Sequence, residues 1–292
     1  MAKERHDPAT GRCTTGHEWN GIEELETPIP RIVLFFLAVT TLIAIGYWIL
    51  MPAWPLGVTY TKGLLGIDQR KVVAKQVEDA AAARAAWTDR IAQASLSEIA
   101  ADPDLMRHVR ETGRTHFIDN CAACHGTGGT GGPGFPNLSA KAWLWGGEPE
   151  AILETIRVGI NSAHAETRTS QMLAFGRDGT LEREQVRAVA AYVRSLSGLP
   201  TSADNKALIP AGKEIFSANC TACHGEDARG NTDIGAPNLT DETWIYGSDA
   251  QTVFTTIYSG RQGQMPSWES RLSPVDRKLL ALYVGTLGED RQ

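Results

Sequence analysis

The chain runs to 292 residues, 42% of them hydrophobic and 21% charged, with a formal charge of −6; that is room for two ordinary domains and an anchor. Its mild acidity excludes the basic surface that nucleic-acid binding needs. Five cysteines make an awkward disulfide framework: four fall in two CxxCH pentads and Cys13 stands alone, so the pairs serve something other than ordinary cross-links.

Residues 1–31 are polar, punctuated by Pro and Gly, and expected to order against a partner. From Ile32 to Met51 run twenty residues without a charge. As a helix they span about 30 Å, the hydrocarbon thickness of a bilayer. A cleaved signal peptide fits poorly, because the segment begins thirty residues in, follows the acidic EELETP, and exits through Pro52 and Pro55 without a small-residue cleavage site. Residues 32–52 are therefore expected to be a transmembrane helix, with Tyr47, Trp48 and Trp54 as an aromatic belt. Lys and Arg flank it evenly, so charge does not set its orientation. Residues 53–103 form a linker whose alanine-rich stretch, Asp68 to Ala94, has strong helix formers and no breakers. Asp102-Pro103 ends it.

The remainder is a duplication, residues 104–200 and 201–292. Gly113 and Phe117 recur as Gly212 and Phe216, at an offset of 99; Pro136-Asn137-Leu138 recurs as Pro237-Asn238-Leu239, at an offset of 101. Trp143 matches Trp244, Trp145 matches Tyr246, Gln171-Met172 matches Gln264-Met265, and Tyr192 matches Tyr283. The first copy carries eight extra residues between Gly159 and Met172. Each copy closes on an amphipathic helix, with Val186, Val189, Ala190 and Val193 on one face in the first, and Leu279, Leu280, Tyr283 and Leu287 in the second. Ser273-Pro274 supplies an N-cap and a first-turn proline. Gly113 with Tyr192, and Gly212 with Tyr283, are expected to mark where first and last helices cross. Strand signals are scarce, so the fold class is mainly α.

CxxCH is the covalent haem attachment signature: each thiol adds to a vinyl group, and the adjacent histidine is delivered beneath the iron. Cys121, Cys124 and His125 are expected to hold one haem c, and Cys220, Cys223 and His224 a second. Zinc would need both thiol pairs in one tetrahedral site, whereas each pair lies in its own repeat; a thioredoxin-like dithiol would need a βαβ setting that is absent. A thioether sixth ligand raises a haem's potential and closes the iron for electron transfer. Met172 and Met265 hold matching places and are the expected ligands, with His164, in the insertion, the rival at the first haem. The carbonyls of Pro136 and Pro237 are candidate acceptors for the histidine ring N–H. Trp145 and Tyr246 are candidates for propionate contacts or for plain packing. No phosphate-cradling loop or other catalytic constellation accompanies the pentads. Covalent attachment takes place outside the bacterial cytoplasmic membrane, which puts residues 52–292 in the periplasm and Cys13 in the reducing cytoplasm as a free thiol.

The stretch GHEWNGIEELETPIPR before the span, then PAWP, KGLLGIDQR and two CxxCH domains, resembles the dihaem subunit of cbb3-type cytochrome c oxidases over nearly the whole chain. The resemblance implies one transmembrane helix followed by two tandem class I cytochrome c-like domains in the cytoplasmic (inner) membrane. It implies electron relay, with no catalysis by the chain itself, from a c-type cytochrome donor or quinol–cytochrome c reductase. The electrons pass through the monohaem subunit to the catalytic haem–copper subunit, which reduces oxygen and pumps protons. It also implies the ligand pairs His125 with Met172 and His224 with Met265. A free-standing membrane-anchored shuttle, the cytochrome subunit of a dehydrogenase, and a dihaem peroxidase are the alternatives. An acidic second repeat, with twelve Asp and Glu against eight Lys and Arg from residue 201 onward, suits a basic donor.

Overall fold

The structure, a computed structural model, describes residues 5–289, which fall into two units, residues 5–83 and 84–289. The first unit opens with a hairpin. Strands β1 (Thr14–Trp19) and β2 (Ile22–Leu25) pair antiparallel, with Trp19 opposite Ile22. Asn20 and Gly21 join them at φ 50° and 86°, the positive values that a two-residue hairpin turn demands and that Asn-Gly adopts at little cost. The expectation that this segment orders only against a partner is thus corrected: it makes a hairpin from its own residues, and the Asn-Gly between Trp19 and Ile22 was the cue.

Helix α1 (Arg31–Leu50) is the expected span, long and apolar enough to cross a membrane, with none of its side chains buried in the chain. Its last carbonyls are met by a returning loop, where Leu64 N–H donates to Ile49 O at 3.0 Å and Leu65 N–H to Leu50 O at 3.1 Å. Such groups would otherwise stay unpaired at a helix end. Gly63 permits the approach: its φ is +70°, and a Cβ there would sit 2.3 Å from Leu50 O.

Helix α2 (Gln69–Gln93) is the alanine-rich stretch, started by Asp68, whose carboxylate accepts from Arg70 N–H at 3.1 Å. Of its residues only Ile91 is buried. In the second unit Trp87 stacks on His108, with centroids 4.5 Å apart and planes at 9°. Helix α3 is Leu96–Ala101 and α4 is Pro103–His108, the latter capped by Asp102 with Pro103 in its first turn. A π turn, Val109–Gly113, leads into α5 (Arg114–Asn120). Next come α6 (Ala122–His125), α7 (Pro149–Val158), α8 (Arg183–Leu196), α9 (Ala203–Asn219), α10 (Thr221–His224), α11 (Ala250–Ser259) and α12 (Pro274–Thr286). The Lys278 ammonium, on α12, reaches the carbonyls of Ile91, Ala92 and Ala94 at 3.0, 3.0 and 2.7 Å, a cation on the carbonyl end of α2. Lys278→Ala is expected to lower the stability of this unit by about 2 kcal/mol, since charge-assisted hydrogen bonds are lost and partly buried carbonyls are stranded; thermal melts of the purified protein check it.

The two repeats exchange their closing helices. Helix α12, from the second repeat, packs on the π turn, α5 and α7 of the first, while α8, from the first, packs on α9 and α11 of the second. One core gathers Phe117, Ile152, Ile156, Trp268, Leu279 and Tyr283; the other gathers Val186, Val193, Phe216, Val253, Phe254 and Ile257. The glycine crossings show the exchange directly. A Cβ on Gly113 would lie 2.8 Å from Tyr283 Cβ, and one on Gly212 would lie 2.1 Å from Ala188 O and 2.9 Å from Tyr192 Cβ. Close helix approach therefore pairs Gly113 with Tyr283 and Gly212 with Tyr192, the reverse of the expectation from the linear repeat. Periodicity identifies which face of a closing helix is apolar, but two similar repeats offer two similar grooves.

Candidate haem-binding sites

Each pentad forms at the end of a helix whose core residue is fully or nearly fully buried. Phe117 is 0% exposed and Phe216 2%, and each accepts on its carbonyl the N–H of the first cysteine, Cys121 or Cys220, at 2.8 Å. One further turn, α6 or α10, brings His125 and His224 to the inner side, and Gly126 or Gly225, at φ 74° or 78°, ends it. The loop then doubles back: Gly131 N–H donates to His125 O, and Gly230 N–H to His224 O, both at 2.8 Å. A Cβ on Gly131 would lie 2.8 Å from Pro136 O, and one on Gly230 would lie 2.6 Å from the Pro237 carbonyl carbon. Only glycine lets the two limbs of this loop approach so closely. The closeness sets His125 Nδ1 3.1 Å from Pro136 O and His224 Nδ1 3.0 Å from Pro237 O, the acceptors expected from sequence. Nδ1 is thereby committed as a donor, which makes Nε2 the metal-binding nitrogen.

Burial pushes both histidines below the usual imidazole range, against the opposing pull of the proline carbonyls, so the neutral, ligating form prevails. Burial also pushes the Cys121 and Cys220 thiols up to about 11, with the neighbouring Cys124 or Cys223 adding to the shift. Thiol–disulfide exchange runs through thiolate, so these pairs are poorly set as redox dithiols. Cys124 and Cys223 are exposed, while Cys121 and Cys220 are half-buried against their cores.

The methionines follow the exchange. Met265 packs against the core that holds Cys121, and Met172 against the core that holds Cys220. Short antiparallel bridges fix them: Met265 and Ile160 exchange both backbone bonds at 2.9 Å, and Met172 and Arg261 exchange theirs at 2.8 and 3.1 Å. Gly159 and Gly260 make room, since a Cβ on either would lie 2.4 Å from Met265 O or Met172 O respectively. Each methionine thus stands with the pentad of the other repeat, contrary to the pairing implied by the resemblance. His164 is drawn elsewhere. Its Nε2 lies 2.7 Å from Glu269 Oε2, and its Nδ1 accepts from Glu166 N–H at 3.0 Å, so neither ring nitrogen is spare for iron. His108 stacks on Trp87, and His116 Nε2 lies 3.2 Å from Asp276.

The residues fit a haem in each body: a thiol pair, a neutral histidine with Nε2 to offer, a methionine, and an apolar wall. Two orphaned polar atoms fit its carboxylates. Trp244 Nε1 and Arg168 Nε are buried without a hydrogen-bond partner, and Trp244 packs on the core of Cys220 and Met172. Trp145 and Tyr246, the sequence candidates for propionate contacts, instead carry arginines, Arg168 at 5.0 Å and Arg261 at 4.2 Å from the ring centroids. Trp244 was visible in the repeat only as a landmark; its role follows from burial, which the pattern does not disclose.

A membrane-span helix followed by two CxxCH bodies of this form defines a membrane-anchored dihaem c-type cytochrome. Residues 11–58 match the N-terminal domain of cytochrome oxidase-cbb3, FixP; residues 110–197 match cytochrome c; and residues 207–284 match cytochrome c oxidase, cbb3-type, subunit III. The chain is 50% identical to the cbb3-type cytochrome c oxidase subunit FixP of Bradyrhizobium sp., over 97% of each chain. It is 45% identical to the CcoP subunit of Cereibacter sphaeroides over 94% of each, and 43% identical to that of Azospirillum brasilense over 99% of each. It therefore belongs to the FixP/CcoP family, the electron-transfer cytochrome c subunit of cbb3-type oxidases, and carries covalent haem c.

Proposed function

We propose that the chain relays electrons from a periplasmic donor, a c-type cytochrome or quinol–cytochrome c reductase, through two haems toward the monohaem and catalytic haem–copper subunits. Cys121 and Cys124 anchor the first haem, ligated by His125 and Met265; Cys220 and Cys223 anchor the second, ligated by His224 and Met172. The reciprocal backbone bridges of Met265 with Ile160 and Met172 with Arg261 carry this crossed assignment. When bound, each haem supplies a one-electron couple. The chain would offer each iron an imidazole and a thioether; it keeps the imidazoles neutral and holds each methionine on a backbone bridge. The first haem-bearing body is accordingly split, α3 to α7 plus α12, and the second, α8 to α11, is continuous; the boundaries 104–200 and 201–292 delimit repeats in sequence.

The orientation that accompanies this reading puts the hairpin in the cytoplasm and both haem bodies in the periplasm. The family match over residues 11–58 supports a docking role for the hairpin and span, as do Trp19 and Ile22, 67% and 73% exposed. Affinity isolation through a tag on this chain, in mild detergent, tests the assignment: haem b, copper and cyanide-sensitive oxygen uptake are expected to co-purify, and two low-spin c haems alone would count against it. Deleting residues 14–25 is expected to cut that co-purification severalfold while both haems remain attached. Unchanged recovery of the complex would remove the docking role.

A further inference from the structure

We propose that the Arg168 guanidinium is the counter-ion of a propionate of the haem bound through Cys121 and Cys124. This rests on the haem assignment above and commits the orphaned Arg168 Nε noted there to one haem and one chemical partner. Arg168 is held by backbone beside the Met265 bridge: its N–H donates to Gly159 O at 3.1 Å, its carbonyl accepts from Asn161 N–H at 2.8 Å, and Ile160 pairs with both Arg168 and Met265. Its side chain lies over Trp145, with one terminal nitrogen donating to Ala151 O of α7 at 3.2 Å. Trp143, two residues before Trp145, packs on the core of Cys121. The arginine therefore sits with the body that holds the first pentad.

Its charge is met only in part by protein. Among the described residues no carboxylate forms an ion pair with Arg168, and its Nε is buried without a partner. Glu154, whose charge favours the Arg168 cation, is taken by Arg157 at 2.8 Å, and Arg157 also holds Glu166 and Glu269. Partial burial disfavours the Arg168 cation, with Glu154 opposing the shift, and a charge that loses water without gaining a full partner is costly. Arg261, which lies over Tyr246 as Arg168 lies over Trp145, differs: its Nε and one terminal nitrogen both donate to Thr256 Oγ1, at 3.1 and 2.8 Å. Of the two, Arg168 alone carries a buried Nε–H without a hydrogen-bond partner. Thioether formation and axial ligation leave a haem's two carboxylates intact, and a guanidinium fork is the donor shape that carboxylate matches.

A cation at that carboxylate favours the reduced haem. Arg168→Gln in the membrane-bound holoprotein is expected to shift the oxidised-to-reduced ratio of that haem about tenfold toward oxidised at fixed potential, 59 mV for one electron, and that of the other haem less than threefold. Arg168→Lys is expected to stay within about threefold of the parent. Arg168→Met, which keeps the stem over Trp145, carries the same expectation as Gln should the Gln variant fail to accumulate. Gly131→Ala, which disturbs the Pro136 carbonyl at His125, identifies which potential belongs to the Cys121 haem without reference to either methionine. No shift, an equal shift in both haems, or a Lys variant that behaves like Gln overturns the proposal. Met265→His leaving the Gly131-sensitive potential in place would instead overturn the crossed ligand assignment and leave the Arg168 result standing.

Discussion

Met265→His should lower the potential of the haem anchored at Cys121 and Cys124, and Met172→His that of the haem at Cys220 and Cys223, each by on the order of 0.2 V out of the roughly 0.8 V that axial ligation covers. The sign follows from chemistry. A thioether stabilises ferrous iron and raises the potential, and an imidazole donates more strongly and favours ferric. The assignment of haem to methionine follows from packing. Met265 lies against the core of Cys121 and is bridged to Ile160, which follows α7. Potentiometric titration of the two variants is read against Gly131→Ala. A Cβ at Gly131 would meet Pro136 O, the acceptor of His125 Nδ1, so this change acts on the first pentad whichever methionine serves it. Met265→His and Gly131→Ala should move the same potential. If they move different ones, each repeat keeps its own methionine, and the exchange of closing helices stops short of the iron.

Much of this was legible in the chain. The pentads, the matched methionines, the proline carbonyls at His125 and His224 and the apolar faces of α8 and α12 are local features, and spacing alone discloses them. The exchange is not local. Gly113 and Gly212 occupy equivalent helix positions, and Tyr192 and Tyr283 occupy equivalent partners, so composition and period score both pairings alike. What separates them is connection. The fourteen residues from Gly159 to Met172 carry the chain from α7 to the second body, and the six from Gly260 to Met265 carry it from α11 back to the first. The insertion, which in sequence only raised His164 as a rival ligand, lies within the first of these two crossings. There Arg157 gathers Glu154, Glu166 and Glu269, and Glu269 in turn meets His164 at 2.7 Å. Charged residues in a loop are usually solvated, so their convergence could not be read from the string. The N-terminal hairpin was missed for a different reason: a lone two-stranded ribbon has no core to impose alternation, and its signal was confined to Asn20-Gly21.

Gly260→Ala should release Met172 from the second haem, although Gly260 lies five residues before Met265 and on the far side of the chain's second pentad. Gly260 ends α11 at φ +69°, and a Cβ there would lie 2.4 Å from Met172 O and 2.9 Å from Ala174 N. The obstruction is backbone on both sides, so no rotamer change relieves it, and alanine also strains at positive φ. The strand that carries Arg261 must then part from Met172, breaking the two backbone bonds of 2.8 and 3.1 Å that hold the thioether in place. The expected result is a second haem that turns partly high-spin or binds exogenous ligand when reduced, with covalent attachment intact because α10 and the Pro237 loop are untouched. Gly159→Ala makes the reciprocal case: its Cβ would lie 2.4 Å from Met265 O, and the first haem should be the one that opens. Carbon monoxide binding to the reduced variants, with the two haems distinguished by their potentials, measures both. Loss of the nearer methionine in either variant, Met265 for Gly260→Ala, would mean that strain spreads along the chain instead of across the bridge. The two thioethers would then be held independently. Loss of the farther one means that each ligand is seated by the other repeat's helix end, so the two irons share one mechanical frame.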